Sequence, residues 1–424
     1  MRVLLVSANT EFINMPVVPV GLGAVAAATE KAGHEVALLD LMNVTDTEAA
    51  VKKALEEFEP HVIGISVRNI DDQMITEPRF FLDQVKPVIS SCRALSDAPI
   101  VLGGAGYSIF PESALAYLGA DMGIQGEGEI AFPALLTLME QRADLSDAPG
   151  LCLPGLGMQG KRKFARDLDL LPLPDPGLWS SSAFMGQDLW IPVQTRRGCP
   201  MRCSYCSTST IEGTIIRKRD PMSIIDSMEG FVELGFQQFF LTDNIFNIPS
   251  SYAMRFCQVV ADTGLDISWR GILYPRHIDE ALVRAMARAG CKEVAVGFES
   301  GSAEMLEKMN KKFGPEDVRR TCEILGAHGI RRMGFLLLGG PGETRKSVQE
   351  SLAFSDSLRL ETMKITIGIR IYPYTALARI ARSQGVITPE DDLLFPRFYL
   401  VRGLEDWLRE IVDQWMSGRP SWAK

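Results

Sequence analysis

The chain has no apolar run approaching the roughly 18 to 20 residues that cross a bilayer; its longer apolar stretches are interrupted by glycine, proline or charge. The opening MRVLLVSANT is apolar, but neither an extended apolar core nor a small-residue cleavage site follows it. We therefore expect no transmembrane segment and a cytoplasmic location. Positive charge is also in short supply. With 44 Lys and Arg against 53 Asp and Glu, the formal charge is −9, which argues against nucleic acid as a partner. Histidine is scarce, with four residues at 34, 61, 277 and 328. Of the eight cysteines, those at 92, 152, 257, 291 and 322 are scattered, which is no disulfide framework and fits a reducing compartment. The dinucleotide pattern G-x-G-x-x-G is missing too. Gly21-Leu22-Gly23 lacks the third glycine and follows a long loop, so a nicotinamide-binding reading is weak.

What is present fits two to three domains in 424 residues. Residues 1–150 alternate apolar runs (RVLLVS, HEVALLD, HVIGIS, PIVLGG and a short run at 122–126) with helical patterns, at 21–33, 51–58 and 78–95. Continuous apolar strands with helical crossovers predict an α/β, doubly wound Rossmann-like domain around a parallel sheet. Ligands of such sheets lie beyond the strands' carboxyl ends, here Ser7–Thr10, Arg68–Asn69, Gly103–Gly106 and Gly126–Gly128. Residues 151–185 read as a small hairpin followed by a proline-rich linker, residues 186–375 as a second domain and residues 376–424 as a helical, aromatic extension. In that extension Phe395, Phe398, Tyr399, Trp407 and Trp415 suit core packing somewhat better than a pocket lining.

The second domain begins with the strand WIPVQ and then reads TRRGCPMRCSYCS. Cys199, Cys203 and Cys206 lie in one loop shaped by Gly198 and Pro200. A closed zinc or iron–sulfur site needs four ligands. Zinc with a distant fourth ligand, three plain thiols, and a [4Fe–4S] cluster with one open iron are the alternatives. The absence of a local histidine favours the last. Arg196, Arg197 and Arg202 stand ready to offset the negative charge. Further strands are expected at 236–241, 267–269, 293–298, 333–338 and 364–371, each ending in polar or glycine-rich residues. Six strand–helix units with their chemistry at the carboxyl ends predict a partial (β/α)6 barrel.

Cys-x-x-x-Cys-x-x-Cys with Tyr205 before the third cysteine resembles the radical S-adenosylmethionine (SAM) signature. The resemblance implies that Cys199, Cys203 and Cys206 hold a [4Fe–4S] cluster whose open iron chelates SAM, which is cleaved to a 5′-deoxyadenosyl radical. It further implies SAM contacts from Tyr205, from Thr242, Asp243 and Asn244, from Arg270 at the third strand's end, from Glu299 and Ser300, from Gly339, Gly340 and Pro341, and from Tyr372. Asp243 would equally serve as a helix cap. Tyr374 stands where that family usually has glycine.

An α/β unit placed just before such a barrel, with Gly103-Gly104 and GEGE at 126–129, is similar to the cobalamin (B12)-dependent radical SAM class, over roughly residues 1–375. That class implies cobalamin contacts from Ser7, Asn9, Arg68, Asn69, Gly103, Gly104, Gly106, Gly126, Glu127 and Gly128. The Asp-x-His-x-x-Gly sequence of a cobalt-ligating histidine is absent, since the chain reads Ser7-Ala8-Asn9-Thr10-Glu11 there. His34 and His61 precede their strands. Base-off cobalamin without a histidine ligand is expected, with Arg68 or Asn69 at its lower face. The function implied is methylation of an unactivated carbon by way of a 5′-deoxyadenosyl radical and methylcobalamin. A non-methylating radical rearrangement, cyclisation or oxidation is the alternative, and a cobalamin- and cluster-binding regulatory module is a third. The substrate would be a small molecule, a lipid or a peptide, with no leader-peptide-binding domain evident, and the electrons would come from an external donor such as flavodoxin or ferredoxin. No second cysteine cluster is present for auxiliary iron–sulfur centres.

Overall fold

The computed structural model describes residues 1–11, 18–179, 189–419 and 422–423. Chain order in the first unit is β1 (Arg2–Ser7), α1 (Val20–Lys31), β2 (Glu35–Asp40), α2 (Thr47–Phe58), β3 (Val62–Ser66), α3 (Leu82–Leu95), β4 (Ile100–Gly103), α4 (Ala105–Ile109), α5 (Pro111–Leu118), β5 (Met122–Ile124), α6 (Gly128–Gln141), β6 (Leu151–Leu153) and β7 (Gly157–Met158). The sheet runs β2-β1-β3-β4-β5-β6-β7, parallel through β5 and antiparallel beyond it. Val3, Leu5, Val62 and Val101 pack under α1 and α6, and Leu4, Val6, Ile63 and Leu102 pack on the other face. Burial on both faces is why these strands read as unbroken apolar runs. The expected hairpin forms, but Cys152 and Leu151 pair with Gly123 and Ile124. The sheet therefore continues past the expected boundary at 150, because β5 would otherwise be an unpaired edge.

After it come β8 (Ile191–Val193), β9 (Arg196–Arg197), α7 (Thr208–Glu212), β10 (Arg217–Lys218), α8 (Pro221–Glu233), β11 (Gln238–Leu241), α9 (Ser250–Thr263), β12 (Ser268–Leu273), α10 (Glu280–Arg288), β13 (Cys291–Glu299), α11 (Ala303–Lys308), α12 (Pro315–Ala327), β14 (Arg331–Leu338), α13 (Arg345–Ser357), β15 (Thr362–Ile367), β16 (Ile369–Arg370), α14 (Ala376–Ser383), β17 (Phe398–Tyr399), α15 (Glu405–Met416) and β18 (Trp422–Ala423). Strands β8, β11, β12, β13, β14 and β15 pair in that order, all parallel, with β18 outside β15. These are the six strands of an open barrel. Along them burial alternates. Phe239, Trp269, Val294 and Val296 are sealed beneath the helices, while Phe240, Arg270, Ala295 and Glu299 are only partly covered and line the lumen.

Two details depart from expectation. Strand β12 runs on to Leu273, so Arg270 sits in its middle rather than at its end. Its guanidinium lies over Trp190 at 4.4 Å and Phe240 at 5.2 Å, deep in the barrel. The run at 364–371 is not one strand, because Gly368 takes φ 76° and turns the chain into β16, which pairs antiparallel with β17.

The expected linker stays on the molecular surface but is anchored. Trp179 is buried, stacks on Phe231 of α8 with centroids 5.9 Å apart, and fills the space above Gly23 of α1. The expected boundary at 185 and 186 lies outside the described residues. The two units also share a buried ion pair, Arg370 Nε to Asp71 Oδ2 at 2.8 Å, and one continuous apolar cluster that includes Ile65, Ile70, Met305, Ile369 and Tyr399. The terminal aromatics are distributed away from the lumen. Tyr399 is buried, Phe395 meets Phe80 at 4.7 Å, Trp407 lies under Arg345, and Trp415 donates to Asp356.

Candidate functional site

A cavity of about 430 Å³ opens between the carboxyl edge of the first sheet and the barrel mouth. Ser7, Asn9, Arg68, Gly103, Gly104, Gly126, Glu127 and Gly128 all line it. It runs down the sheet's face past Leu5, Gly64 and Val101 to Phe132, and its other wall is Pro192, Gln194, Arg197, Ile211, Glu212 and Thr242 of the barrel unit. Depth along the sheet and a wall that includes Arg197, next in the chain to the cysteine loop, suit a corrin with an extended nucleotide tail. A Cβ on Gly103 would meet no atom within 4 Å and would stand in the open cavity. Gly104 has φ 100° and a Cβ there would lie 2.5 Å from the Val67 carbonyl; a Cβ on Gly106 would lie 3.0 Å from that of Arg68. Gly106 therefore serves close backbone packing and does not line the cavity. Asn69 also lies outside it, in a shallow recess beside Thr10 and Gln84. Arg68 is walled in by protein, and desolvation lowers its pKa; it keeps accessible surface because it faces the cavity. The histidines near this sheet lie at its other edge, where His34 Nδ1 meets the terminal amine and His61 Nδ1 accepts from Arg2 N.

The GEGE carboxylates are committed elsewhere. Glu127 pairs with Arg197 at 3.3 Å and Arg217 at 2.5 Å and accepts from Ala165 N at 2.7 Å. Glu129 takes the Arg197 guanidinium. Burial pushes the Glu129 carboxyl up, but the charge and hydrogen bond of Arg197 outweigh it and hold it below the usual range. These pairs join the first unit to the ribbon β9–β10 that flanks the cysteine loop.

That loop begins at Gly198, whose φ of 90° and contact with the Ile215 carbonyl leave no room for a side chain. Cys199 N donates to Gly213 O, Cys206 N to Cys203 O, Ser204 N to Met309 O, and Leu377 N to Ser204 O. Asn310 Nδ2 donates to the carbonyls of Arg202 at 2.7 Å and Met201 at 3.3 Å. All three thiols are partly buried. Burial pushes the Cys199 thiol up to about 11, helped by the charges of Cys206 and Cys203. Burial raises Cys203 also, and Lys311 opposes the rise. Bare, the Cys199 and Cys203 thiols resist ionisation; a metal that demands thiolates would release their protons. No three His, Cys, Asp or Glu side chains among the described residues are arranged around a single metal ion. A donor set of three adjacent thiols on one loop at the barrel mouth fits a polynuclear iron–sulfur cluster.

The local cations differ from expectation. Arg196 is buried against Asp243 and Arg197 is neutralised by Glu127 and Glu129. The cation beside the thiols is Lys311, which contacts Glu299 Oε1 at 3.2 Å and lies 5.4 Å from the Tyr205 ring. Its ammonium is held well above the usual range, burial being outweighed by Glu299, Tyr205 and Cys203. Sequence reasoning missed Lys311, since nothing in Asn310-Lys311-Lys312 distinguishes it from a solvated turn. It also missed Glu212, which accepts from Gly198 N at 2.9 Å and Asn244 Nδ2 at 2.6 Å.

The remaining expected SAM residues divide. Tyr205 and Glu299 meet at Lys311. Thr242 lines the cavity and its hydroxyl donates to Val193 O at 3.3 Å, while Asn244 accepts from Thr208, next to Cys206. Asp243, by contrast, is fully buried and accepts from Thr195 N, Thr195 Oγ1, Arg196 N and Arg196 Nε. Every one of those bonds is internal, so Asp243 braces the loop instead of facing the mouth. Ser300 is likewise buried, bonded to Ser351 Oγ at 2.9 Å and accepting from Ser302 N. The turn at Gly339, Gly340 and Pro341 is closed by Glu343, which accepts from Gly339 N at 3.2 Å. Tyr372 packs between Arg370 at 5.2 Å and Phe110 at 6.3 Å. Tyr374 adopts φ 63°, which accounts for the usual glycine there.

Residues 193–355 match the Radical SAM superfamily and residues 8–136 match the B12 binding domain. The chain is 26% identical to tryptophan 2-C-methyltransferase of Streptomyces laurentii, over 89% of this chain and 74% of that protein. It is 25% identical to an uncharacterized methyltransferase of Pyrococcus horikoshii, over 91% of this chain and 84% of that one. Among solved structures it is similar to the radical S-adenosylmethionine methyltransferase TsrM from Kitasatospora setae with cobalamin and [4Fe-4S] cluster bound, at a TM-score of 0.87 and 23% identity, covering 100% of this chain and 92% of that one.

Proposed function

We propose that this chain, which belongs to the cobalamin-dependent radical SAM enzymes, is a C-methyltransferase acting on a small molecule. The observation that carries this reading is a cavity shared by the glycine-lined edge of the B12 unit and the wall beside the cysteine loop. When bound, the cluster and SAM supply the 5′-deoxyadenosyl radical, and cobalamin supplies the methyl group. Cys199, Cys203 and Cys206 would hold the cluster. Glu299, Lys311, Thr242 and Tyr205 would contact SAM, with Lys311, paired to Glu299, offering a fixed positive charge. Asp243, Ser300 and the turn closed by Glu343 hold the backbone that carries them. Gly103, Gly126 and Gly128 would let the corrin approach the sheet edge, and Arg68 would occupy its lower face in the base-off state. Enclosure between the two units would bring the cofactors' reactive atoms together and exclude water.

A small-molecule substrate is consistent with the tryptophan-methylating relative. We further infer an external one-electron donor, no nucleic-acid partner given the charge of −9, and a cytoplasmic location. No helix among the described residues is long and apolar enough to cross a membrane. We take the sheet of residues 1–150 with its added hairpin as the cobalamin unit and residues 186–375 as the SAM unit. The test is anaerobic incubation of the cluster- and cobalamin-loaded chain with reductant, methyl-labelled SAM and candidate small molecules. Label in a carbon–methyl bond of the product is expected. Release of 5′-deoxyadenosine with no label in any product would replace methylation by a rearrangement or oxidation.

A further inference from the structure

The barrel lumen holds a positive charge that the described residues leave unanswered. Burial alternates along β15. Met363, Ile365 and Ile367 are sealed into the core beneath the helices, whereas Thr362, Lys364 and Thr366 are only partly covered and face inward. Strand periodicity thus carries the Lys364 ammonium into the lumen. In the register of the sheet its neighbour is Phe335 of β14, an inward position between the buried Gly334 and Leu336.

The other charged groups of these faces are committed. Glu293 at the amino end of β13 pairs with Arg331 at 3.4 Å. Glu299 at its carboxyl end pairs with Lys311. Arg270 is stacked on Trp190 and Phe240. Among the described residues, Lys364 Nζ has no hydrogen bond and no ion pair. An ammonium carries three donors and no acceptor, and holding it partly away from water with none of them used is unfavourable. An anion entering the lumen removes that cost.

The surroundings narrow the anion. The inward walls near Lys364 are apolar, with Phe335 and Met333 on β14 and Phe240 across the lumen on β11. The Thr366 hydroxyl lies two positions on along the same face. One ammonium and one hydroxyl suit the single charge and two oxygens of a carboxylate better than the nearly double charge of a phosphate monoester. The inward rows of β8 and β11 run up to Pro192, Gln194 and Thr242, which line the cavity between the two units. A molecule held at Lys364 therefore has the cofactor cavity above it.

We propose that Lys364 anchors a carboxylate of the substrate inside the barrel, with the substrate's apolar body against Phe335 and Phe240. The inference rests on the functional reading above and names its substrate class: small carboxylic acids with an apolar or aromatic body. Lys364 makes and breaks no bond. It fixes which carbon of the substrate faces the barrel mouth, and it selects against neutral analogues, which would leave the ammonium unpaired.

The test uses the full chain loaded with cobalamin and cluster and given no reductant, so that binding is read apart from turnover. The probes are 3-phenylpropionate, its neutral amide 3-phenylpropionamide, and phenyl phosphate, with affinities from isothermal titration calorimetry. In the wild type the acid is expected to bind at least about tenfold more tightly than the amide, the size of one charge-assisted hydrogen bond. K364Q is expected to lose that preference by weakening the acid alone, and K364R to keep most of it. Cobalamin affinity, from absorbance titration, should be unchanged in both. Equal binding of acid and amide by the wild type, binding of neither, or a K364Q chain that retains the preference would overturn the proposal. So would phenyl phosphate bound at least tenfold more tightly than the acid and released by K364Q, which assigns the lysine to a phosphate. Failure of the functional reading looks different. Acid binding that follows Lys364, with no methyl label reaching any acid under reducing conditions, keeps the anchor and removes methylation. Methylated neutral molecules formed equally well by K364Q keep methylation and remove the anchor.

Discussion

Replacing Asp243 by alanine separates a structural carboxylate from a cofactor-binding one. Asp243 is fully buried and accepts from two backbone amides, one hydroxyl and the Arg196 guanidinium, the last at 3.2 Å. Its removal leaves Arg196, 2% exposed, with only Ile248 O, Thr195 Oγ1 and the ring faces of Tyr252 and Phe246. One nitrogen of that guanidinium, Nη2, already lacks a partner. Breaking a buried pair from one side costs about 3–5 kcal/mol. At about 2–4 °C per kcal/mol, D243A should melt roughly 6–20 °C lower. The double variant R196M/D243A, which removes the stranded cation, should recover much of the loss. The assay is urea and thermal unfolding of the cluster-free chains, with SAM binding to the reconstituted ones measured alongside. A D243A chain as stable as wild type but deficient in SAM binding would refute the structural assignment.

Other outcomes follow from the same contacts. Glu129 is held below its ordinary carboxylate range in the folded state. Its stabilisation is therefore present above the unfolded value of about 4.3 and is lost as pH falls through the lower folded value. Melting temperature should fall below that pH in wild type, and E129Q should be less stable near neutrality with a flatter acid limb. The G103V substitution puts methyl groups into open cavity; cobalamin affinity measured by absorbance titration should fall at least tenfold with little change in apo-protein melting. Cob(II)alamin bound to the wild type should give an electron paramagnetic resonance spectrum without nitrogen superhyperfine splitting, and R68H should introduce it. Splitting in the wild type would remove Arg68 from the lower face.

The parallel strands of the first unit were legible because burial on both sides demands uninterrupted apolar runs, as in RVLLVS and VIGIS. The cysteine loop was legible because its three ligands are local in sequence. Arg270 was misplaced because a strand's length depends on its neighbours' register: pairing with β13 continues to Leu273. The partners of Glu127 were not legible, because nothing local shows that Arg197 and Arg217, 70 and 90 residues away, lie opposite it. Ser300 and Asp243 follow strand ends as site residues do, yet their oxygens turn inward to Ser351 and Arg196.

The amino-acid sequence by itself determined the two-unit α/β organisation, the three local thiols and the absence of an Asp-x-His-x-x-Gly sequence, since each depends on composition, periodicity or short spacing. Tertiary structure alone decided which charges face one another. It cancelled Arg196 and Arg197 with buried carboxylates, left Lys311 as the cation beside Cys203, and enclosed one cavity between the sheet edge and the barrel mouth. The physical reason is that electrostatic and cavity-forming contacts act through space between residues far apart in the chain, 47 positions for Arg196 and Asp243 and 68 for Arg197 and Glu129, and no local pattern carries that information.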